Sequence, residues 1–243
     1  MGDSFNYQEL ADRYGLEPLP EDVLRLSRLV AQQEADLDEM ARIIFQDVTL
    51  SRRLVHAVDP EGENERNYGM VIVREALLRT GVRCILLLAM SALLAFALVR
   101  TFRTMLGLDL KNLPLELEPP FFSKQYSCAI CFSGKADGKV FLRLSPDGAR
   151  RVAAAMLHTE AENITRDAEI SDAIGELLNV ITGNLNSNLC DAGLDCRLHT
   201  PTISHNNAFE IETVPGGGWE QAVFHAPGIL LFVDLTVNPW RAE

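Results

Sequence analysis

Apolar and polar residues along this chain repeat with two different periods, and the change falls near its middle. In "LPEDVLRLSRLVAQQ", Val23, Leu24, Leu26, Leu29 and Val30 form one broad stripe at helical spacing. "DLDEMARIIF" follows, with Asp36 and Glu39 at capping-box spacing, and "TLSRRLVHAV" predicts a third short helix. The polar stretch "EGENERNYG", from Glu61 to Gly69, reads as loop. "REALLRTGVRCILLLAMSALLAFALVRTF" returns to helix, with a break expected near Gly81. The seam is "LGLDLKNLPLELEPPFF", where Pro114, Pro119 and Pro120 forbid a continuous helix.

Beyond the seam the period shortens. "YSCAICFSGKADGKVFLRLS" predicts two strands joined by a tight turn at Ala136, Asp137 and Gly138. "SPDGARRVAAAMLH" predicts a helix, with Ser145 as N-cap and Pro146 in the first helical position. "SDAIGELLNVITGNLNSNL", from Ser171 to Leu189, predicts a strongly amphipathic helix. "DCRLHTPTIS", "AFEIETV", "EQAVFHA" and "ILLFVDLTV" then read as strands. The expected fold is α+β: a helical region over 1–108, then a unit over 121–239 whose mainly antiparallel sheet packs against two helices. No internal repeat or low-complexity tract is visible.

Composition narrows the function classes. The chain has 243 residues, 47% of them hydrophobic and 23% charged, as in an ordinary soluble protein with a sizeable core. Lys and Arg number 22 against 34 Asp and Glu, a net charge of −12. Such a balance repels phosphate backbones and anionic lipid, so neither nucleic acid nor a membrane surface is the expected partner. Cys84 to Val99 is almost wholly apolar but only 16 residues long. That is short of the roughly 20 needed to span a bilayer, so a buried core helix, or one covered by a partner, is expected. The five cysteines follow no framework spacing, and the N-terminus is polar and acidic. Reduced thiols in a cytoplasm are the expectation.

The helix over 171–189 is the best candidate for chemistry. Ile174, Leu177, Leu178, Ile181, Leu185 and Leu189 share one face, expected against the sheet. Asp172, Glu176, Asn179, Gly183, Asn186 and Ser187 lie opposite. Glu176 and Asn179 are three apart and therefore neighbours on the helix surface. Gly183, four residues further, leaves room for another backbone to approach. Polar helix faces are usually just solvated, and Glu-x-x-Asn also occurs at Glu61/Asn64 and Glu160/Asn163. Only Glu176/Asn179 lies on an amphipathic helix with an acid one turn before and a glycine one turn after. The Asn residues between Asn179 and Asn188 go against helix propensity, as functional positions often do.

These residues resemble the CheC, CheX and FliY group of chemotaxis phosphatases, most of all its CheX branch. The family motif is Asp or Ser, three residues, Glu, two residues, Asn, about 22 residues, then Pro. Asp172, Glu176 and Asn179 match it, and Pro201 follows after a gap of 21 residues, one short of the pattern. "FSGKADGKVFL" and "TPTISHNNAFEIET" also stand where the family has comparable segments. The resemblance implies hydrolysis of phospho-aspartate on a response-regulator receiver domain. The receiver supplies the phosphoryl group and its own Mg²⁺, and this chain itself binds no cofactor. It implies that Asn179 orients the attacking water and that Glu176 pairs with the receiver's active-site lysine. Asp172 would be a helix-start or contact residue, and Gly183, Asn186 and Pro201 would line the partner surface. It also implies a homodimer. The same fold admits a second reading, a docking module without turnover.

The first helices, "LEPLPEDVLRLSRLVAQQEADLDEMARIIFQDVTLSRRLV", resemble the opening of an HDOD domain, of which the remainder is missing. There is no His-Asp dipeptide, so the metal-dependent hydrolysis of HD enzymes is not expected. No metal site is expected elsewhere. Cys128 and Cys131 sit three apart on one predicted strand and should point to opposite faces, as should Cys196 and His199. "PGGGW" precedes a strand rather than a helix and reads as a hairpin loop, not a phosphate cradle.

Overall fold

A computed structural model describes residues 21–32, 36–59, 69–113, 125–205, 215 and 217–238. Four helices come first: α1 (Glu21–Ala31), α2 (Leu37–Gln46), α3 (Val48–Val58) and α4 (Met70–Thr101). A wider π-type turn, Phe102–Leu106, ends α4. Then follow β1 (Lys111–Leu113), β2 (Tyr126–Gly134), β3 (Gly138–Leu144), α5 (Pro146–Met156), a short 3-10 turn (Ala161–Asn163) and α6 (Asp167–Asp191). Four strands complete the order: β4 (Cys196–Leu198), β5 (Thr202–His205), β6 (Gly218–Ala226) and β7 (Ile229–Val237).

The local signals act largely as read. Asp36 Oδ1 accepts from the backbone N–H of Asp38 and Glu39 at 2.9 and 3.3 Å, capping α2. The reciprocal arm of the capping box is diverted, because Arg25 of α1 holds the Glu39 carboxylate at 2.5 Å. Ser145 Oγ accepts from Gly148 N at 3.1 Å and caps α5. Gly81 breaks α4 with φ 72° and ψ 174°, a conformation that favours glycine. The β2–β3 turn falls one residue earlier than expected: Asp137 Oδ1 accepts from Gly134 N at 2.8 Å, and Gly138 already pairs with Phe132. The polar stretch at 61–68 and the strand expected at 208–214 lie outside the described residues.

All strand pairings are antiparallel, in the order β1-β6-β7-β3-β2-β4, with β5 sharing the β2 edge with β4. The single strand expected over 195–204 is thus two short strands, separated by His199 to Pro201. β1 was not foreseen; it is a strand because Asn112 pairs with Phe224 on β6.

One face of the sheet carries Cys128, Ile130, Val140, Leu142, Leu231, Val233, Leu235 and Phe224, all buried in the main core cluster. Helices α5 and α6 cover it, as expected, and α4 joins them as a third, packing on β6, β7 and α6. The core therefore runs without interruption from Val23 to Val237, across the proline-bearing seam. Polar contacts also tie the first helices to the rest. Arg53 of α3 ion-pairs with Glu220 of β6 and donates to Ser91 Oγ at 2.8 Å. Arg28 Nε of α1 reaches the Asp191 carbonyl at 3.4 Å.

Among the described residues no helix covers the other face. At its centre lies Asp234, fully buried. Arg143 Nε and Nη2 donate to its Oδ2 at 2.9 and 2.6 Å, and Trp219 Nε1 and Gln221 Nε2 donate to its Oδ1 at 3.1 and 2.8 Å. A buried carboxylate is tolerable because several donors satisfy it. Cys128 and Cys131 lie on opposite faces of β2, Cys128 among the core residues and Cys131 half-buried on the Asp234 side. They cannot share one metal ion from there.

Candidate functional site

Helix α6 is longer than its amphipathic pattern suggested. It begins at Asp167, and Arg166 stands at its N-cap without a side-chain cap bond. Arg166 instead binds Glu169 in the first turn, which lowers the Glu169 pKa. Asp172 therefore lies in the second turn and is not a helix-start residue; Asp167 and Glu169 hold that place near the positive end of the dipole.

The start of α6 is pinned to the sheet. Tyr126 of β2 donates its hydroxyl to Asp167 Oδ1 at 2.6 Å. Burial, reinforced by the Asp167 carboxylate, pushes the Tyr126 pKa up to about 12. The Tyr126 ring also stands 6.0 Å from that of His205 on β5. Gly175, on the buried side, brings the helix close to β5. A Cβ there would meet Ile203 Cδ1 at 2.8 Å. At the other end, Asn184 Nδ2 donates to Thr101 Oγ1 of α4 at 3.2 Å.

The apolar face is buried as expected: Ile174, Leu177, Leu178, Ile181, Leu185 and Leu189 are all at most 2% exposed. On the opposite face Asp172, Glu176 and Asn179 are exposed. At about 100° per residue, Asp172, Glu176, Asn179 and Gly183 fall within an arc of roughly 60°. Among the described residues no hydrogen bond or ion pair engages the side chain of Glu176 or Asn179; both are held by their backbone alone. Gly183 is half-buried, yet a Cβ there would meet nothing within 4 Å. Asn186 is half-buried and its Oδ1 is enclosed without a partner, so that oxygen is not presented at the surface. The second Glu-x-x-Asn, Glu160/Asn163, forms the short 3-10 turn, where Asn163 Nδ2 bonds Thr159 Oγ1 at 3.2 Å. It has no helix face to work from. Glu61/Asn64 lie outside the described residues.

Pro201 is half-buried in the turn between β4 and β5. The chain over 196–205 runs back along α6. Cys196 lies beside Cys190, and Ile203 lies on Gly175. Pro201 lies in sequence between these two contacts, in the turn that separates β4 from β5. Asp172, Glu176 and Asn179 thus share one exposed face of one helix, while Pro201 stands apart from it in sequence, in the β4–β5 turn. The residues that sequence reading missed are supports: Tyr126, Gly175 and Thr101. Only the glycine carried a local signal, being a small residue on an otherwise large apolar face.

Comparison with known proteins agrees with this fold. Residues 126–220 match the family described as Chemotaxis phosphatase CheX. No curated protein sequence matches the chain. Among solved structures, chemotaxis protein CheX from Desulfovibrio desulfuricans superposes with a TM-score of 0.53 at 19% identity, covering 61% of this chain and 99% of that one. A CheC-like superfamily protein from Shewanella sp. PV-4 gives 0.53 at 21% identity, with 61% and 97% covered. CheX from Vibrio vulnificus gives 0.52 at 20%, with 61% and 96% covered. A share of 61% of the 243 residues exceeds the stretch 125–238, so the common fold also takes in chain before the seam. The HDOD resemblance of the first helices finds no support in these matches. Residues 126–220, with α6 and its Glu176–Asn179 face among them, thus match the CheX family model and stand in a CheX-like α+β fold.

Proposed function

We propose that this chain removes the phosphoryl group from the phospho-aspartate of a response-regulator receiver domain. The observation that carries the reading is the exposed Glu176–Asn179 pair, unengaged within the described residues and presented by a helix whose other face is fully buried. Phosphoryl transfer depends on in-line positioning and charge neutralisation more than on a strong base. The Asn179 amide positions a water without repelling the anionic phosphoryl group, as a carboxylate there would. Glu176, one turn away, meets the receiver's active-site lysine, and the receiver brings its own Mg²⁺. Asp172, Gly183 and Pro201 border the same contact, and Asn186 lies under its edge. A homodimer working in the cytoplasm fits the same reading.

A second reading, docking without turnover, is favoured by the one-residue-short spacing to Pro201 and by the appended helices. Phosphate release from a panel of phosphorylated receivers, with wild type and Asn179→Ala in parallel, separates the two. Acceleration by wild type that is lost in Asn179→Ala, with receiver binding retained, supports the phosphatase. Binding of a phosphorylated receiver without any acceleration refutes it and leaves the docking module.

A further inference from the structure

Two thiols stand at the far end of α6 from Tyr126. We propose that Cys190 and Cys196 form a disulfide pair that closes the end of α6 onto β4 when a small-molecule disulfide of the glutathione type is in excess over its thiol. The geometry is that of a chain reversal. Gly193, at φ 81°, ends the helix: its N–H donates to the Cys190 carbonyl at 2.9 Å, and Leu194 N–H donates to the Leu189 carbonyl at 2.8 Å. This is the paired closure in which the chain turns back over its own last turn. Cys190 and Cys196 lie three residues either side of Gly193, so the reversal sets them opposite one another.

One contact across the turn joins the two residues. The backbone N–H of Cys196 is directed at the Cys190 sulfur. The Cys196 thiol is shared between the Leu194 carbonyl at 3.2 Å and the Ala136 carbonyl at 3.3 Å. Residue 196 is held in place from the other side. It pairs with Gly134 on β2, and the Asp195 carbonyl accepts from Lys135 N at 3.1 Å. Cys190 is exposed and Cys196 half-buried, so Cys190 meets the reagent first.

The steps balance. The Cys190 thiolate attacks one sulfur of the disulfide reagent; its S–S bond breaks and one glutathione leaves as thiolate, taking up the proton. The Cys196 thiolate then attacks the Cys190 sulfur of the mixed disulfide, forming the Cys190–Cys196 bond and expelling the second glutathione. The protein loses two electrons and two protons, and the reagent gains them. Burial raises both thiol pKa values, so thiolate is scarce at neutral pH and the exchange is slow there and faster in alkali.

The test uses the full chain equilibrated with oxidised glutathione, alkylated and digested with trypsin. Residues 167–197 form one peptide between Arg166 and Arg197, and it contains Cys190 and Cys196 as its only cysteines. The expected product is that peptide, unalkylated and lighter by two hydrogens. Cys196→Ser is expected to trap glutathione on residue 190. Wild-type peptide that stays doubly alkylated, or that carries glutathione at Cys190 without closing, overturns the proposal.

Discussion

Gly183→Ala should move stability and activity in opposite directions. The position lies in the interior of a 25-residue helix, where glycine is disfavoured by about 0.8–1.0 kcal/mol relative to alanine. Because a Cβ there meets nothing within 4 Å, no packing cost offsets that gain. The variant should therefore be more stable by roughly 1 kcal/mol, a rise in Tm of about 2–4 °C for a chain of this size. Turnover should fall. Gly183 lies one turn beyond Asn179 on the same arc, where the proposed function would bring a receiver backbone close, and a displacement of about 1 Å at a phosphoryl centre can cost roughly 100-fold. Urea unfolding gives the first quantity, and phosphate release from a phosphorylated receiver gives the second. A variant that is less stable refutes the open-space argument. A variant that turns over like wild type, while Asn179→Ala does not, refutes the placement of the receiver against this part of α6.

Other variants test the supports. Asp234→Ala leaves the partly buried Arg143 guanidinium without its carboxylate and takes the acceptor from Trp219 and Gln221, and should cost about 3 kcal/mol in urea unfolding. Because Asp234 faces away from α6, the turnover of the folded fraction should match wild type. Tyr126→Phe removes a hydrogen bond to a carboxylate and should cost about 1.5–3 kcal/mol at neutral pH. The Tyr126 pKa rises from 10 to about 12 in the folded chain, so the folded state holds this proton more tightly. That contribution is fully present below pH 10 and is lost as pH rises through about 12, so in alkaline unfolding curves the wild type should lose its margin over the Phe variant. Gly138→Ala places a Cβ 2.0 Å from the Thr236 backbone oxygen, and strand β7 has no side chain to rotate out of the way. It should destabilise by roughly 1–3 kcal/mol or more, clearly beyond Gly175→Ala, where only the flexible tip of Ile203 must yield.

How far the sequence could be read follows from what each element depends on. The face of α6 was legible because eleven buried positions repeat with the helical period. Its start was not, because Arg166 is no cap residue and nothing local marks the boundary. β1 has three residues and no alternation to read; its partner is more than a hundred residues away on β6. α4 was recognisably a buried helix, but an element that is apolar on nearly every side does not reveal which layer it joins. Gly138 and Gly183 are the sharpest case. One sits against a backbone oxygen and the other faces open space, a difference created only by the tertiary fold.

The position of α4 also decides where this protein can be cut. The prolines at 114–120 look like a linker, and a fragment starting there would keep the motif, α5, α6 and all strands but β1. It would lose the helix whose Leu94 and Ala95 lie over Ala222, Phe224, Val233 and Leu235. The apolar inner face of β6 and β7 would then meet water, and such a fragment should aggregate. A soluble truncation has to begin upstream of α4's contact with the sheet. The glycine break at position 81 is not such a place, since Arg53 of α3 reaches Ser91 beyond it and the core continues from there into the first helices.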